Sequence, residues 1–490
     1  MDALITVPLW LFLLLCALAV LATLDRFLMP SVRWYLRRRV KRVVDELNSR
    51  LQLRLEPFKL TRRELLIDRL MYDPDVIRFA EEWAQREGLR RDEVMATVSR
   101  YAQEIVPAFN TYAYFAIGYR LAKGLAQMLY RVRLGYADDA GLSAIPRNAS
   151  VVFVMNHRSN MDYVLVPYLV ATHSALSYAV GEWARVWPLQ ALIRSLGAYF
   201  VRRDSGDPLY RKVLARYVHM ATRGGVVQAV FPEGGLSRDG KLRAPRLGLL
   251  AYIVKAFDPD GERELVFVPV GINYDRVFED RSLVRDLDEQ SERRGRAYAV
   301  FKSLGFVFHN LGLAARRRWH RFGYAGVRVG EPVFLRDYLQ RHEIDFRAMS
   351  EAEAFAAVER LGSELMAHVG RAIPVLPVSL VATVMVESSE PLSEFELKGR
   401  VLDLVARLAA RGAHVHVPRA DQDYAVQVGL RMLTLRRLVQ EDEAGLYSAR
   451  KTELALLRYY ANAIAHLLDE EDPLTGETSA QQEKKGPEPK

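Results

Sequence analysis

Cysteine is almost absent from this 490-residue chain, and the one example, Cys16, lies in the first apolar segment. That excludes a disulfide framework, a cysteine-based zinc site and a thiol nucleophile in the globular part, and it suits a reducing cytoplasmic compartment. Internal repeats and long low-complexity stretches are missing, so the chain does not read as an array. A G-x-S-x-G turn is missing too: Ser159 lies near His157 but in no such turn, which leaves a serine hydrolase without support. Gly235, Gly240 and Lys241 satisfy G-x-x-x-x-G-K, but Leu242 stands where a phosphate-binding loop needs Ser or Thr to hold magnesium, so a nucleotide hydrolase is set aside. His414 and His416 can share one strand face, yet they have no obvious third ligand and are read as structural, with no metal expected.

What is present is a chain 50% hydrophobic, long enough for a sizeable core and two or three domains. Its 69 Lys and Arg against 60 Asp and Glu give a net charge of +9, which suits anionic membranes, nucleic acid or phosphorylated substrates without choosing among them. Residues 3–24 are uncharged and Leu-rich, and at about 1.5 Å per residue a helix of that length matches a bilayer's hydrocarbon core. No basic region precedes the segment, whereas Arg33, Arg37, Arg38, Arg39, Lys41 and Arg42 follow it. A single-pass anchor over 1–30 and a basic juxtamembrane linker over 31–60 are expected, with nearly the whole protein on the cytoplasmic side, at the inner membrane if bacterial.

Residues 61–140 read as a helical domain with boundaries at Pro74 and Pro107, and without strand alternation to residue 134. Tyr112, Tyr114, Phe115 and Tyr119 precede an apolar and basic run over 121–133, suited either to a headgroup boundary or to packing on the next domain. From 141 to 335 short apolar runs alternate with helical ones, at 177–180, 198–201, 226–231, 265–272 and 327–329, which is the rhythm of an α/β domain. Residues 336–468 are mainly helical around a continuous apolar run at 375–386, and the polar tail 469–490 is expected to be disordered.

The stretch 151–163, VVFVMNHRSNMDY, runs a buried strand into a polar loop holding His157, Arg158, Ser159, Asn160 and Asp162. The carboxyl end of such a strand is where open α/β sheets place ligands. A helix starting near Asp162 would fold its carboxylate back onto the imidazole, fix the tautomer and leave the other ring nitrogen as a base. Three more stretches follow. GAYFVRRD places Arg202 and Arg203 at a strand's end, and an Arg fork can grip a phosphate at two points. FPEGGLSRDGK offers Glu233, the close-approach glycines Gly234 and Gly235, Ser237 as a donor, and the charges of Arg238 and Lys241. FVPVGINYD carries Pro269, which suggests an edge strand, a bulge or a shaped pocket wall.

In this order and spacing the four stretches resemble the glycerolipid acyltransferase superfamily. NHRSNMD is similar to its H-x-x-x-x-D block, GAYFVRR to its second, FPEGGLSRDGK to its glycine-rich third and VPVGINYD to its fourth. HRS and EGG-x-SR are the forms of the glycerol-3-phosphate and dihydroxyacetone-phosphate acyltransferase branch. YDPDV near residue 72, PVSLVA at 377–382 and LLRYYANAIAHLL at 456–468 resemble the same branch, which covers roughly 65–470.

The resemblance implies acyl transfer from acyl-CoA or acyl-acyl carrier protein, with no other cofactor, to a hydroxyl of a phosphorylated three-carbon acceptor. His157 would take the hydroxyl proton and Asp162 would orient it; Arg202 or Arg203, with Ser237 and Arg238, would hold the phosphate, while Glu233, Gly234 and Gly235 shape the pocket. The departure is Leu236, where the branch commonly has Arg, and it keeps dihydroxyacetone phosphate and lysophospholipids open as acceptors. The expected architecture is an α/β acyltransferase domain with helical N- and C-terminal regions and one N-terminal transmembrane helix. The expected partners are a lipid bilayer, the acyl donor and the acceptor, not nucleic acid. The rival from another class is an inactive scaffold binding anionic lipid through a basic surface such as Arg316, Arg317 and Arg318.

Overall fold

The computed structural model describes residues 58, 61–109, 114, 118–136, 139–170, 176–181, 193–194, 197–202, 205–285 and 322–468. The apolar segment 3–24, the cations that follow it, Tyr112, Phe115, Arg203, Arg316 to Arg318 and the tail 469–490 lie outside the described residues. Among the described residues no helix is long and apolar enough to cross a membrane.

The centre is a mixed sheet. In chain order its strands are β1 (Arg131–Tyr136), β2 (Ser150–Met155), β3 (Ser177–Gly181), β4 (Tyr199–Val201), β5 (Gln228–Val230), β6 (Leu265–Tyr274), β7 (Tyr324–Val329) and β8 (Val333–Phe334). The spatial order is β1-β7-β6-β2-β5-β3-β4, with β8 on β6 beside β7. Strands β6, β2, β5, β3 and β4 are mutually parallel, while β7 and β8 run antiparallel to β6 and β1 follows β7.

All six residues of β2 are buried, which is why SVVFVM carries no polar alternation. Val152 and Val154 enter a core shared with Leu265, Phe267, Tyr210 and Leu361. The chain leaves the carboxyl end of β2 for β3 and β4 on one side and returns to β6 on the other, so that end is a topological switch point.

The helices Arg63–Met71, Pro74–Glu87 and Arg91–Ile105 contribute to this same core, packed on Pro208–Arg223. Asp73 caps the second of them through the Asp75 N–H at 3.0 Å, Pro74 occupies its first turn, and Pro107 follows the third, as the two prolines predict. The helical expectation fails at 131–136, which form β1 on the sheet: RVRLGY alternates, but its outer face carries arginine rather than a polar pattern distinct from the preceding basic helix. In the C-terminal region, Glu351–Ala372 and Glu394–Ala410 open on capping boxes at Ser350 and Ser393. The apolar run is the buried helix Pro377–Glu387. Residues 439–449, expected as helix, instead form the hairpin β9 (Val439–Glu441) and β10 (Tyr447–Ala449), turned at Gly445 with φ 76°.

At Pro269 the edge-strand alternative fails, since β6 lies between β2 and β7. Antiparallel pairing covers 266–267 with β8 and 270–274 with β7, so Pro269 sits at the joint between the two partners. Its carbonyl accepts the Gly330 N–H at 2.8 Å, and the donor it lacks falls at that break in the ladder.

Candidate active site

The strand β2 ends in Asn156, whose carboxamide replaces one rung of the ladder: it donates to the Ile272 carbonyl at 2.9 Å and accepts the Ile272 N–H at 2.8 Å. This fixes the point where the chain turns into the polar loop. The helix Asp162–Val170 then begins at the acid, as the loop length predicts.

His157 Nδ1 lies 2.9 Å from Asp162 Oδ2, with side-chain exposures of 2% and 0%. The same oxygen accepts the N–H groups of Arg158 at 2.8 Å and Ser159 at 3.1 Å, and Oδ1 accepts the Tyr274 hydroxyl at 2.6 Å. Four donors around one buried carboxylate make it an acceptor only, so Nδ1 carries the ring proton and Nε2 the lone pair. The ring is held in its plane by Phe231, stacked at 4.3 Å, and by the edge of Tyr163 at 5.1 Å. His157 Nε2 is buried and has no hydrogen-bond partner among the described residues.

The third block closes over this loop. Glu233 Oε1 accepts the His157 N–H at 2.8 Å, and the His157 carbonyl accepts the Ser237 N–H at 3.0 Å. Burial pushes the Glu233 carboxyl up to about 7, against the His157 N–H and the charges of Arg158 and Arg243. Its second oxygen, Oε2, is buried and has no hydrogen-bond partner among the described residues. Gly234, at φ 69°, lies under the side chain of Arg246, and Gly235 is half-buried beside it. Arg238 and Lys241 are exposed.

Two expected phosphate ligands are used otherwise. The Ser237 hydroxyl faces the Lys241 carbonyl at 2.8 Å and Asp239 at 3.2 Å, so it braces its own loop. Arg202 is held at two points, 2.9 and 2.7 Å, by Glu104 and is flanked by the rings of Tyr101 and Tyr210, each 4.9 Å away. The fork expected to clamp a phosphate is taken by a carboxylate, which raises the guanidinium's pKa. The edge strand β4 also stands three strands, ~14 Å, from β2.

The fourth block works as a joint. Besides Tyr274 on Asp162, Asn273 donates to the Pro374 carbonyl at 2.9 Å, and Asp275 accepts the N–H groups of Tyr324 at 2.7 Å and Val378 at 3.1 Å. Tyr274 was visible as part of the block, but nothing in its spacing said that it reaches Asp162. Glu279, which accepts from Ser159 Oγ at 2.7 Å and the Asn160 N–H at 3.3 Å, carried no signal at all. Arg158, expected as a loop polar group, is 3% exposed, donates to the Gly240 carbonyl and lies over Tyr459 at 5.9 Å. His416 packs edge-on to Tyr324 at 4.8 Å, and no group of three or more His, Cys, Asp or Glu among the described residues could hold a metal.

This loop, base and glycine-rich cover lie within the first of two stretches that match known families. Residues 138–273 match the acyltransferase family and residues 308–471 the glycerol-3-phosphate acyltransferase C-terminal region, together more than half of the sequence. Over both stretches the chain is similar to glycerol-3-phosphate acyltransferases. Curated relatives named glycerol-3-phosphate acyltransferase include one from Pseudomonas fluorescens strain Pf-5, 28% identical over 83% of this chain and 49% of the relative. Others come from Ectopseudomonas mendocina strain ymp, at 29%, and Pseudomonas putida strain W619, at 28%, with the same two coverages. The chain spans about half the length of the curated relatives it matches. In acyltransferase terms, the first, third and fourth blocks come together around His157, while Arg202, in the described part of the second, is bound to Glu104 at the sheet's edge.

Proposed function

We propose that this chain is a membrane-bound O-acyltransferase that moves a fatty acyl group from acyl-CoA or acyl-acyl carrier protein to glycerol 3-phosphate, giving lysophosphatidic acid. The observation that carries the proposal is the imidazole of His157, fixed through Nδ1 by Asp162 and left, among the described residues, with no hydrogen-bond partner on Nε2. Nε2 takes the proton of the acceptor hydroxyl while that oxygen attacks the thioester carbonyl. Asp162 stabilises the imidazolium so formed. Collapse of the tetrahedral intermediate breaks the C–S bond, and the departing thiolate recovers the proton from His157. An ester and a free thiol result, with no covalent acyl-enzyme. The acceptor is the one for which the curated relatives are named. Residues 3–24 serve as the single-pass anchor, with the catalytic domain on the cytoplasmic side. With Arg202 engaged by Glu104, the acceptor phosphate falls to the exposed cations of the third block, Arg238 and Lys241, and to Arg203. Leu236, half-buried in the third block, is the feature favouring a second reading, with dihydroxyacetone phosphate or a lysophospholipid as acceptor.

The test is transfer of a radiolabelled acyl group from palmitoyl-CoA, and separately from palmitoyl-acyl carrier protein, by membranes containing the full chain. Glycerol 3-phosphate, dihydroxyacetone phosphate and lysophosphatidic acid are offered in parallel. Acylation of glycerol 3-phosphate is expected, and His157→Ala should lose roughly a hundred- to ten-thousandfold. Acylation of another acceptor alone would move the assignment to that acceptor. If no acceptor is acylated with either donor, the transferase reading falls and the lipid-binding scaffold takes its place.

A further inference from the structure

Glu279 lies five residues beyond the end of β6 and outside the four blocks. Its partly buried side chain reaches back to the loop that carries the base. Oε2 accepts the Ser159 hydroxyl at 2.7 Å and Oε1 the Asn160 N–H at 3.3 Å, while Ser159 Oγ in turn accepts the Met161 N–H at 3.1 Å. Three consecutive residues between His157 and Asp162 are therefore tied, directly or through one hydroxyl, to one carboxylate. Among the described residues Glu279 has no ion pair. The ionisable groups facing it are Asp162 from the loop, Tyr274 from β6, Tyr130 from the turn before β1 and Tyr459 from the helix Leu454–Ala461, with Arg276 and Asp280 beside it in the chain. Arg276 lies 4.0 Å over Phe322, and Asp280 pairs with Arg436.

A neutral side chain could hold two donors at less electrostatic cost than a second carboxylate near Asp162. We propose that Glu279 is a positioning residue for acyl transfer: it sets the geometry of the loop between His157 and Asp162, and its charge stabilises the imidazolium formed during turnover. The inference rests on the acyltransferase reading above. In the resting site the carboxylate repels Asp162; once His157 holds the acceptor's proton, the pair it faces is neutral and the repulsion is gone. That difference favours the protonated intermediate over the resting state, which is the direction catalysis requires. Burial pushes the Glu279 carboxyl up to about 7, opposed by the Ser159 hydroxyl and reinforced by the charge of Asp162. Protonation of Glu279 removes the charge, so it contributes to the acid limb of kcat.

The experiment compares the full chain with Glu279→Gln and Ser159→Ala in the radiolabel assay from pH 5.5 to 9, with thermal midpoints measured alongside. Glu279→Gln should lower kcat about tenfold or more at pH 8, the size of a lost charge-assisted bond. Both KM values should stay within about threefold, and the acid limb should move to lower pH as a raised carboxyl that contributes to it is removed. Ser159→Ala deletes a bond that favours the ionised carboxylate, so its acid limb should move the other way, to higher pH. An active parent whose acid limb is unmoved by either substitution overturns the proposal. If Glu279→Gln does not fold, Ser159→Ala alone decides, through the direction of its shift. A parent that transfers no acyl group to any acceptor overturns the transferase reading instead, a different result from an active parent with insensitive variants.

Discussion

Tyr274 shows how much of the site depends on a single hydroxyl. It is 1% exposed, it gives its proton to Asp162 Oδ1 at 2.6 Å, and burial together with the charge of Asp162 raises its own pKa, so it stays a donor. Tyr274→Phe would leave Oδ1 buried with no donor while keeping the ring against Tyr130 at 5.2 Å. The unmade bond should cost about 1–3 kcal/mol of stability. It should lower kcat about tenfold, because Asp162 then exchanges its best-placed neutral donor for nothing as the imidazolium forms. Asp162→Asn should cost more, on the order of a thousandfold or beyond, since an amide cannot accept from His157 Nδ1, Arg158 and Ser159 at one oxygen and still select the same tautomer. The kcat of the two variants is the check: a Tyr274→Phe enzyme with lowered stability but the parent's kcat would mean that Tyr274 acts only by holding the fold.

At the scale of elements, the glycine-rich third block and the helix Leu454–Ala461 are built to touch. Gly240 has φ 85°, and a Cβ there would stand 1.9 Å from the Tyr459 carbonyl oxygen, a backbone atom that cannot turn aside. Arg158 adds its bond to the Gly240 carbonyl, and Asn462 donates to the Asp239 carbonyl at 2.8 Å. Gly240→Ala should therefore destabilise by about 3 kcal/mol or more, from steric contact and from a φ that suits only glycine. A thermal midpoint within a degree or two of the parent would refute the close approach. This contact also explains what was legible beforehand. A buried central strand, the His157 to Asp162 turn and the apolar runs of β3 to β7 follow from local pattern, because burial on both faces and loop length are written in consecutive residues; Glu233, 76 positions from His157, was expected in the pocket only through the family resemblance. The partners of Arg202, Ser159 and Gly240 come from 98, 120 and more than 200 positions away, so no local period announces them. The strand β1 and the hairpin at 439–449 were missed for the opposite reason: each is short, flanked by helix and rich in charge, so its alternation is drowned by its neighbours.

Over the whole molecule, the fourth block joins the sheet to the C-terminal region, and one acid bears the connection. Asp275, fully buried, accepts an N–H from Tyr324 on β7 and another from Val378 at the start of the buried helix Pro377–Glu387. Four residues earlier, Gly271 lets the end of the helix Glu351–Ala372 press on β6, since a Cβ there would lie 2.2 Å from the Ile373 nitrogen. Burial pushes the Asp275 carboxyl up to about 7, the two N–H donors opposing it. In the unfolded chain an aspartate titrates near 4, so between those values the folded state holds a proton that the unfolded state has released. Stability from this group is then greatest below pH 4 and is lost as pH rises toward 7; Glu233 and Glu279, also raised to about 7, act in the same direction. The expected outcome is a urea midpoint that falls between pH 5 and pH 7.5, by an amount on the order of a few kcal/mol in unfolding free energy. Asp275→Asn tests the assignment. Its amide turns one N–H pair into donor facing donor, so the protein should be weaker at every pH, but with no proton to lose its midpoint should fall less steeply over that interval. An unchanged slope in the variant would place the pH dependence elsewhere in the fold.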